Sequence, residues 1–165
     1  MINFDIRTGF GYDIHRLVNV PGNILLSTVK IPSNKTVDAH SDGDVLLHSL
    51  SNALYSSIGK NDIGYYFPDN IEKTKNMNSV MILESALNSI RELHYKIQNV
   101  TVDIHLEKPK LMNYREEIRT ALSQLLAISK DRVAVHFNTG EGLAEVGQER
   151  AIIVYSQVCI LKDEN

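Results

Sequence analysis

The sequence has little cysteine and no long apolar run, and both absences narrow what the protein can be. Cys159 is the only cysteine in 165 residues, so a disulfide within the chain and a thiolate metal cluster are excluded. Its neighbours "VCIL" predict that it is an inert core residue. No apolar stretch approaches the roughly 18 residues that a membrane span needs. The first residues resemble neither a signal peptide nor a transit peptide, so we expect a cytoplasmic protein with no membrane partner.

Strong positive charge is also missing. The formal net charge is −3, unlike the basic footprint of a nucleic-acid-binding protein, so no nucleic-acid partner is expected. An anionic ligand would have to be held by local cations or a bound metal, because the overall charge does not attract it. A hydrophobic content of 43% and a charged content of 22% are ordinary for a globular protein. The length predicts a single domain over residues 1–165.

Three common catalytic motifs are absent as well, namely GxxxxGK[ST], GxGxxG and GxSxG. Without an evident activated nucleophile, we expect chemistry in which metal ions neutralise and align a substrate that carries its own nucleophile. Phosphoryl transfer fits this description, because positioning and charge stabilisation provide most of its catalysis.

Hydrophobic periodicity predicts strands and helices that interleave without strict βαβ alternation. Helices are expected to begin at Asp44, with Asp42 or Asp44 as N-cap, at Met77, and at Asn113 with Glu116 in a capping-box-like start. The predicted extended segments are 5–15, 24–32, 96–107, 132–138 and 150–161, with a long loop at 59–76. This order favours an α+β, single-domain, two-layer sandwich with a mixed sheet and helices on one face.

Aspartate and histidine residues suggest a metal site. Asp13 and His15 are two residues apart on a predicted strand, so both side chains point to one face. His48 lies one helical turn after Asp44. Two histidines and one carboxylate with an open fourth position are typical ligands of a catalytic zinc. Alternatively, Asp13 and His15 only end a strand and His48 packs in the core, and spacing alone does not decide. The remaining histidines are interpreted as structural: His94, His105 and His136.

Two turns that follow strands are weaker candidates. In "EKPKLM", Pro109 fixes the turn and Lys110 could meet an anion, or the segment is simply a solvated turn. In "NTGEG", Thr139 offers a hydroxyl and Glu141 could hold a hard cation such as Mg²⁺. A glycine-rich turn alone is a weak indication of phosphate binding.

Five segments together resemble a known family: "GFGYDIH", "AHSDGDVLLHSL", "DIGYYFPD", "EKPKLM" and "NTGEGL…VG". In order and spacing they are similar to the 2-C-methyl-D-erythritol 2,4-cyclodiphosphate synthases of the non-mevalonate isoprenoid pathway. The resemblance covers nearly the whole chain and implies a homotrimer with active sites between subunits. It also implies a phosphorus–oxygen lyase acting on 4-diphosphocytidyl-2-C-methyl-D-erythritol 2-phosphate. The 2-phosphate would attack the β-phosphorus, giving the cyclic diphosphate and CMP.

The resemblance also assigns roles to residues. Asp13, His15 and His48 would hold Zn²⁺, and Glu141 would bind Mg²⁺ or Mn²⁺ across the substrate diphosphate. His40 and Thr139 would stabilise charge around the reacting phosphates. Residues 106–112 would cradle cytosine and ribose from the adjacent subunit. The positions that would contact substrate are Ser41, Asp62, Ile63, Gly64, Phe67, Pro68, Asp69, Leu106, Glu107, Lys108, Pro109, Lys110, Leu111, Met112, Asn138 and Gly140.

Three positions depart from that resemblance. Many relatives carry an arginine where Gln148 stands and an aromatic residue where Glu145 stands, in a trimer-axis cavity thought to hold an isoprenoid diphosphate. We therefore expect weak or no binding of long isoprenoid diphosphates. Asn52 replaces a common aspartate, for which the sequence offers no physical reason.

Two other functions stay open. A metal-dependent phosphohydrolase would incorporate water and release a linear product. A non-catalytic protein with a structural zinc would need a fourth ligand, and the sequence supplies no clear one.

Overall fold

The computed structural model describes residues 5–68 and 77–163, and its centre is a five-stranded sheet. The strands are β1 (Ile6–Val18), β2 (Gly22–Leu26), β3 (Val29–Ser33), β4 (Thr36–Asp38), β5 (Tyr95–His105), β6 (Val133–Asn138) and β7 (Ala151–Lys162). The main sheet has the order β4-β1-β7-β5-β6, and β2 and β3 form a separate hairpin. Only the β5–β6 pair among the described strands is parallel, so the sheet is mixed.

Three long helices cover one face of this sheet. The described α-helices are α1 (Val45–Ser57), α2 (Ile63–Tyr66), α3 (Ser79–Glu92), α4 (Arg115–Leu126) and α5 (Ala144–Gly147), and the three long ones are α1, α3 and α4. α1 packs on β1 and β7, α3 packs on α1 and β5, and α4 packs on β6. The predicted α+β class, with a mixed sheet, is confirmed. Among the described residues, no helix is long and apolar enough to cross a membrane.

Strand register explains why the helix-covered face of the sheet carries a continuous core. Gly11, Ser156, Val102 and Val135 are aligned across β1, β7, β5 and β6 and therefore share a face. All four are buried. Neighbouring rows add valine and isoleucine side chains that pack against the leucines of α1, α3 and α4 in one cluster. Burial of this apolar surface is the main stabilising term for the fold.

The opposite face of the sheet exposes aromatic side chains. Phe10 is 60% exposed and Tyr12 is 41% exposed. The ring of Tyr155 on β7 contacts both, with centroids 6.0 Å from Phe10 and 5.3 Å from Tyr12. Cys159 lies on this same face and is only partly buried, so the prediction of an inert core cysteine is wrong. Side chains of β7 alternate between the two faces of the sheet, and Val158 and Ile160, the neighbours of Cys159, are the ones that point into the core.

The backbone of α1 lies very close to β1, because two residues on the inner face of β1 have no side chain. A Cβ atom at Gly9 would stand 1.9 Å from the carbonyl oxygen of Ala53, and one at Gly11 would stand 1.9 Å from that of Ser49. The Ser49 Oγ atom lies within hydrogen-bond distance of the Gly11 carbonyl oxygen, at 3.2 Å, and of Ser156 Oγ, at 2.9 Å. These contacts fix where α1 sits along β1.

Two predicted helix starts compare differently with the structure. Asp44 is confirmed as the N-cap of α1, since its side chain accepts from Leu47 N at 3.1 Å. The start at Asn113 is wrong, because a 3-10 turn at Met112–Tyr114 precedes α4 and the capping residue Tyr114 makes no side-chain cap bond.

Two segments without helical periodicity hold more structure than predicted. Segment 24–32 is most of a hairpin, in which Ser27 and Thr28 turn the chain with φ of 54° and 68°. The predicted loop 59–76 contains α2 in its described part. Both elements are too short, and too interrupted by turns, to show the regular hydrophobic spacing from which helices and strands are predicted.

We expect Gly11→Ala to lower the free energy of unfolding by about 3 kcal/mol or more, because its methyl group would collide with helix backbone that no side-chain rotation can move. Urea denaturation at fixed protein concentration measures this change. Lys30→Ala, at an exposed strand position of the β2–β3 hairpin, is the control and should cost about 1 kcal/mol or less. Equal effects of the two substitutions would contradict the close contact.

Candidate functional site

The structure brings together the three residues that the sequence singled out as metal ligands. Asp13 and His15 extend from the inner face of β1, and His48 extends from the first turn of α1. The Asp13 Oδ2 atom lies 3.0 Å from His15 Nδ1 and 3.3 Å from His48 Nδ1. One ligand atom from each residue lies within 4.8 Å of the other two. The predicted convergence is confirmed, and the three residues form a potential metal-binding site.

The electrostatics of this cluster favour a charged carboxylate. Burial alone raises the pKa of Asp13, but its close approach to the imidazole rings of His15 and His48 outweighs this effect. The net result is a pKa for Asp13 below its ordinary value, so the side chain is anionic near neutral pH. An anionic oxygen beside two imidazoles is a suitable donor set for a divalent cation.

Asp44 holds the N-terminus of α1, and with it His48, in place. Besides capping the helix, its carboxylate accepts from Ser27 N at 3.0 Å and from Thr28 N at 2.7 Å. Burial raises the pKa of Asp44, while these three backbone donors oppose the rise. The turn between β2 and β3 is thereby tied to the helix start, and His48 begins the next turn of the helix.

The candidate metal site opens into a cavity of about 410 Å³. Residues that the sequence placed near substrate line this cavity together with Asp13, His15 and His48: His40, Ser41, Ile63, Gly64 and Phe67. Asp62 is exposed and caps α2 by accepting from Tyr65 N at 3.2 Å. Pro68 does not line the cavity, and Asp69 lies outside the described residues.

One residue that lines this cavity, His40, has a buried polar atom without a partner in the described part of the chain. His40 Nε2 is buried, and it has no hydrogen-bond partner among residues 5–68 and 77–163. Buried imidazole nitrogens normally have a partner, because leaving one without a hydrogen bond costs free energy. Among the described residues, His40 Nε2 is therefore an unsatisfied hydrogen-bonding group in the wall of the cavity.

The other predicted residues form a second group that does not line this cavity. Thr139 Oγ1 donates to Glu141 Oε1 at 3.1 Å, Gly140 N donates to Glu107 Oε2 at 3.0 Å, and Leu106 N donates to Asn138 O at 2.9 Å. The last two of these bonds join Leu106 and Glu107 to the end of β6 and the turn after it. Since β6 is three strand spacings from β1, the two groups are roughly 14 Å apart within the chain.

Asn52 is a residue whose role the sequence did not explain. Its amide nitrogen donates to Tyr12 O on β1 at 3.4 Å, and its amide oxygen accepts from Ile63 N at 2.9 Å. A carboxylate could make only the second of these bonds, because it has no hydrogen to donate. The available signal was its position one helical turn after His48, on the same side of α1.

Ser79 is a further residue that sequence patterns missed, and the sequence predicts Asp42 only as a possible N-cap of α1. Ser79 Oγ lies 2.9 Å from His48 Nε2, and the Asp42 carboxylate accepts hydrogen bonds from both the backbone N–H and the hydroxyl of Ser79. No signal for this cluster exists in the sequence, since Ser79 follows His48 by 31 residues.

Of the two positions that differ from many relatives near the expected trimer axis, Glu145 is hydrogen-bonded within the chain. Arg150 donates to both of its carboxylate oxygens, at 2.6 Å and 2.8 Å. Gln148 is exposed. The predicted weak binding of isoprenoid diphosphates stays a prediction.

Comparisons with known proteins identify relatives of this chain. A sequence model of the YgbB family matches residues 6–161. The 2-C-methyl-D-erythritol 2,4-cyclodiphosphate synthase of Treponema denticola is 40% identical over 155 residues, which cover 94% of this chain and 96% of the relative. The synthase of Akkermansia muciniphila is 38% identical over 165 residues, covering 100% of this chain and 98% of the relative.

Solved structures give the same result. A Plasmodium falciparum IspF in complex with CDP superposes with a TM-score of 0.83 at 33% identity, covering 97% of both chains. The bifunctional IspDF of Campylobacter jejuni superposes with a TM-score of 0.91 at 33% identity, covering 98% of this chain and 43% of that one.

An α+β fold that carries Asp13, His15 and His48 on β1 and α1, matched over nearly its whole length, places this chain in the YgbB family. Its curated relatives are 2-C-methyl-D-erythritol 2,4-cyclodiphosphate synthases, so the resemblance seen in the sequence is confirmed. The chain is an enzyme of that synthase family.

We expect Asn52→Ala to speed hydrogen exchange at the Ile63 amide about fivefold or more, the equivalent of one hydrogen bond of about 1 kcal/mol. Exchange mass spectrometry of a peptide spanning α2 measures this rate. Asn52→Asp should keep the protection, because it retains the acceptor oxygen. Asn88→Ala, at an exposed position of α3, is the control. Unchanged exchange in Asn52→Ala would contradict the hydrogen bond between Asn52 and Ile63.

Proposed function

We propose that the enzyme converts 4-diphosphocytidyl-2-C-methyl-D-erythritol 2-phosphate to 2-C-methyl-D-erythritol 2,4-cyclodiphosphate and CMP. The observation that carries this proposal is the convergence of Asp13, His15 and His48 at a cavity, in a chain of this synthase family. An oxygen of the 2-phosphate attacks the β-phosphorus, and the bond from that phosphorus to the oxygen bridging toward CMP breaks. CMP leaves with that bridging oxygen on its phosphate.

Zn²⁺ is the metal that we assign to the three residues. Two imidazoles and one carboxylate are borderline ligands that suit this ion and leave a coordination position open. The anionic character of Asp13 and the common orientation of both Nδ1 atoms toward its Oδ2 fit a bound cation. When bound, the ion supplies positive charge that polarises a phosphoryl oxygen.

The cavity residues bind the reacting part of the substrate. His40 presents its unpartnered buried Nε2 to a phosphate oxygen, and Ser41 lies beside it. Ile63, Gly64 and the flanking Asp62 face the erythritol hydroxyls from α2, and Phe67 and Pro68 with Asp69 follow them along the chain. No general base is needed, because the attacking phosphate is already anionic. Catalysis then depends on alignment and charge stabilisation.

The second group completes the site from a neighbouring subunit of a homotrimer. Within one subunit it stands roughly 14 Å across the sheet from β1, too far to share the small cavity. Residues 106–112 would cradle cytosine and ribose there, and the CDP in the Plasmodium falciparum relative supports a cytidine diphosphate ligand. Glu141 would bind Mg²⁺ or Mn²⁺ across the diphosphate. Thr139, with Asn138 and Gly140 beside it, would stabilise the developing charge.

We expect the purified protein to release CMP from this substrate with Mg²⁺, and to lose that activity when a chelator removes zinc. Asp13→Ala and His48→Ala should lower both bound zinc and the rate of CMP release by more than about 100-fold. Loss of a residue that only hydrogen-bonds to a metal ligand typically lowers metal affinity or activity by about 10- to 100-fold, and loss of a ligand itself should have a larger effect. Chromatography of CMP and atomic absorption of zinc measure the two quantities. His94→Asn, an exposed histidine far from the cavity, is the control.

Isotope labelling separates the proposed reaction from hydrolysis. In ¹⁸O-water the cyclic product carries no label, because an oxygen of the substrate itself forms the new bond. A labelled, linear product would instead show a metal-dependent phosphohydrolase. CMP release that persists in fully metal-free protein would contradict the zinc assignment.

The exposed aromatic face of the sheet supplies the surface for the trimer. We expect the protein to sediment as a trimer, and Phe10→Glu to shift it toward monomer with loss of CMP release, because charge is costly in a buried apolar interface. Sedimentation velocity measures the assembly state. Met81→Glu is the matched control, since Met81 is 57% exposed but lies on α3, away from this face. A monomeric wild-type protein with full activity would contradict a site shared between subunits.

A further inference from the structure

The two ring nitrogens of His48 face different surroundings. Nδ1 lies 3.3 Å from the Asp13 Oδ2 atom, on the side of the candidate metal site. Nε2 points the other way, 2.9 Å from Ser79 Oγ and 3.3 Å from Ser41 Oγ. Ser79 is the first residue of α3 and is fully buried, whereas Ser41 is partly exposed and lines the cavity. Ser79 is therefore the closer and the more enclosed partner of Nε2.

Ser79 is itself held by a carboxylate. The Asp42 Oδ2 atom accepts from Ser79 N at 3.1 Å, and Oδ1 accepts from the Ser79 hydroxyl. Asp42 N also donates to Met77 O at 3.1 Å, so the segment before α1 is fastened to the start of α3. A negative charge at this end of a helix is stabilised by the unpaired backbone N–H groups and the helix dipole.

The direction of each hydrogen bond follows from these partners. An ionised carboxylate only accepts, so the single hydrogen of the Ser79 hydroxyl is directed at Asp42. The Ser79 oxygen then has only lone pairs to offer His48. A hydrogen on His48 Nε2 satisfies this arrangement, and an Nε2 lone pair would face the Ser79 lone pairs without a hydrogen between them.

We propose that Asp42 and Ser79 are positioning residues that keep a hydrogen on His48 Nε2 and turn Nδ1 toward Asp13 and His15. A metal-bound histidine normally donates its other N–H to an oxygen, which fixes both the tautomer and the ring orientation. The relay Asp42–Ser79–His48 supplies that oxygen from another helix. This inference rests on the proposed function only in treating Nδ1 as the ligand atom.

Metal affinity and tautomer together test the relay in the full-length protein. Ser79→Ala should weaken Zn²⁺ binding about 10- to 100-fold, the usual effect of removing an outer partner of a ligand. Competition with a chromophoric chelator measures the dissociation constant. Asp42→Asn should weaken it less, because its amide oxygen can still accept one of the two hydrogen bonds. Ser85 lies on α3, like Ser79, and its hydroxyl is hydrogen-bonded to Tyr55 of α1. Ser85→Ala is the control and should leave zinc affinity unchanged.

Long-range ¹H–¹⁵N spectra of His48 in metal-free protein give a readout that a purely structural role would not move. We expect hydrogen on Nε2 in the wild type, and a shift toward hydrogen on Nδ1 in Ser79→Ala, where Asp13 is the strongest remaining acceptor. A wild-type His48 without hydrogen on Nε2 would overturn the relay, as would zinc affinity within about twofold of wild type in a folded Ser79→Ala. If wild-type protein bound no zinc, the proposed metal site would fail while these spectra still decided the relay.

Discussion

The candidate site depends on the direct backbone contact between α1 and β1 at Gly9 and Gly11. Any larger residue there would place a Cβ atom about 1.9 Å from a helix carbonyl oxygen and force the helix outward. His48 is carried by that helix, while Asp13 and His15 follow the glycines on the same strand face. Metal ligands must be placed within a few tenths of an ångström. The position of the helix therefore decides whether the three side chains can share one cation.

Further contacts hold this arrangement from several directions. Asp44 ties the start of α1 to the β2–β3 turn, and Asn52 ties the middle of α1 to both β1 and α2. Ser79 and Asp42 reach His48 from the start of α3. Phosphoryl transfer gains most of its rate from positioning and fixed charges. A rigid support for each candidate ligand is what the proposed chemistry requires.

The sheet gives its two faces different tasks. The inner face binds the helices through apolar side chains, and at the end of β1 it turns polar to form the candidate metal site. The outer face presents Phe10, Tyr12 and Tyr155 without a covering layer among the described residues. The second group of predicted residues stands at the far strands of the same sheet. Its separation from the cavity is the physical reason for proposing that two subunits build one site.

Much of the fold and part of the site could be predicted from local patterns. Two-residue alternation put Asp13 and His15 on one face, and three- and four-residue spacing located α1 with Asp44 as its cap. Such patterns are readable because they reflect the periods of strands and helices. Short elements escaped them: the hairpin turn at Ser27, the start of α4 and the face of Cys159 were missed or wrong, since one residue of register moves a side chain to the other face.

By itself, the sequence determined the α+β class, the candidate metal ligands and the family to which the motifs belong. Only the tertiary structure decided that the three candidate ligands converge, that Asn52 joins β1 to α2, and that Ser79 meets His48 from 31 residues away. Those contacts join elements that are distant in the chain, and a pattern of a few residues carries no information about them. They follow from how closely helices and strands can approach, which the shapes of Gly9 and Gly11 set.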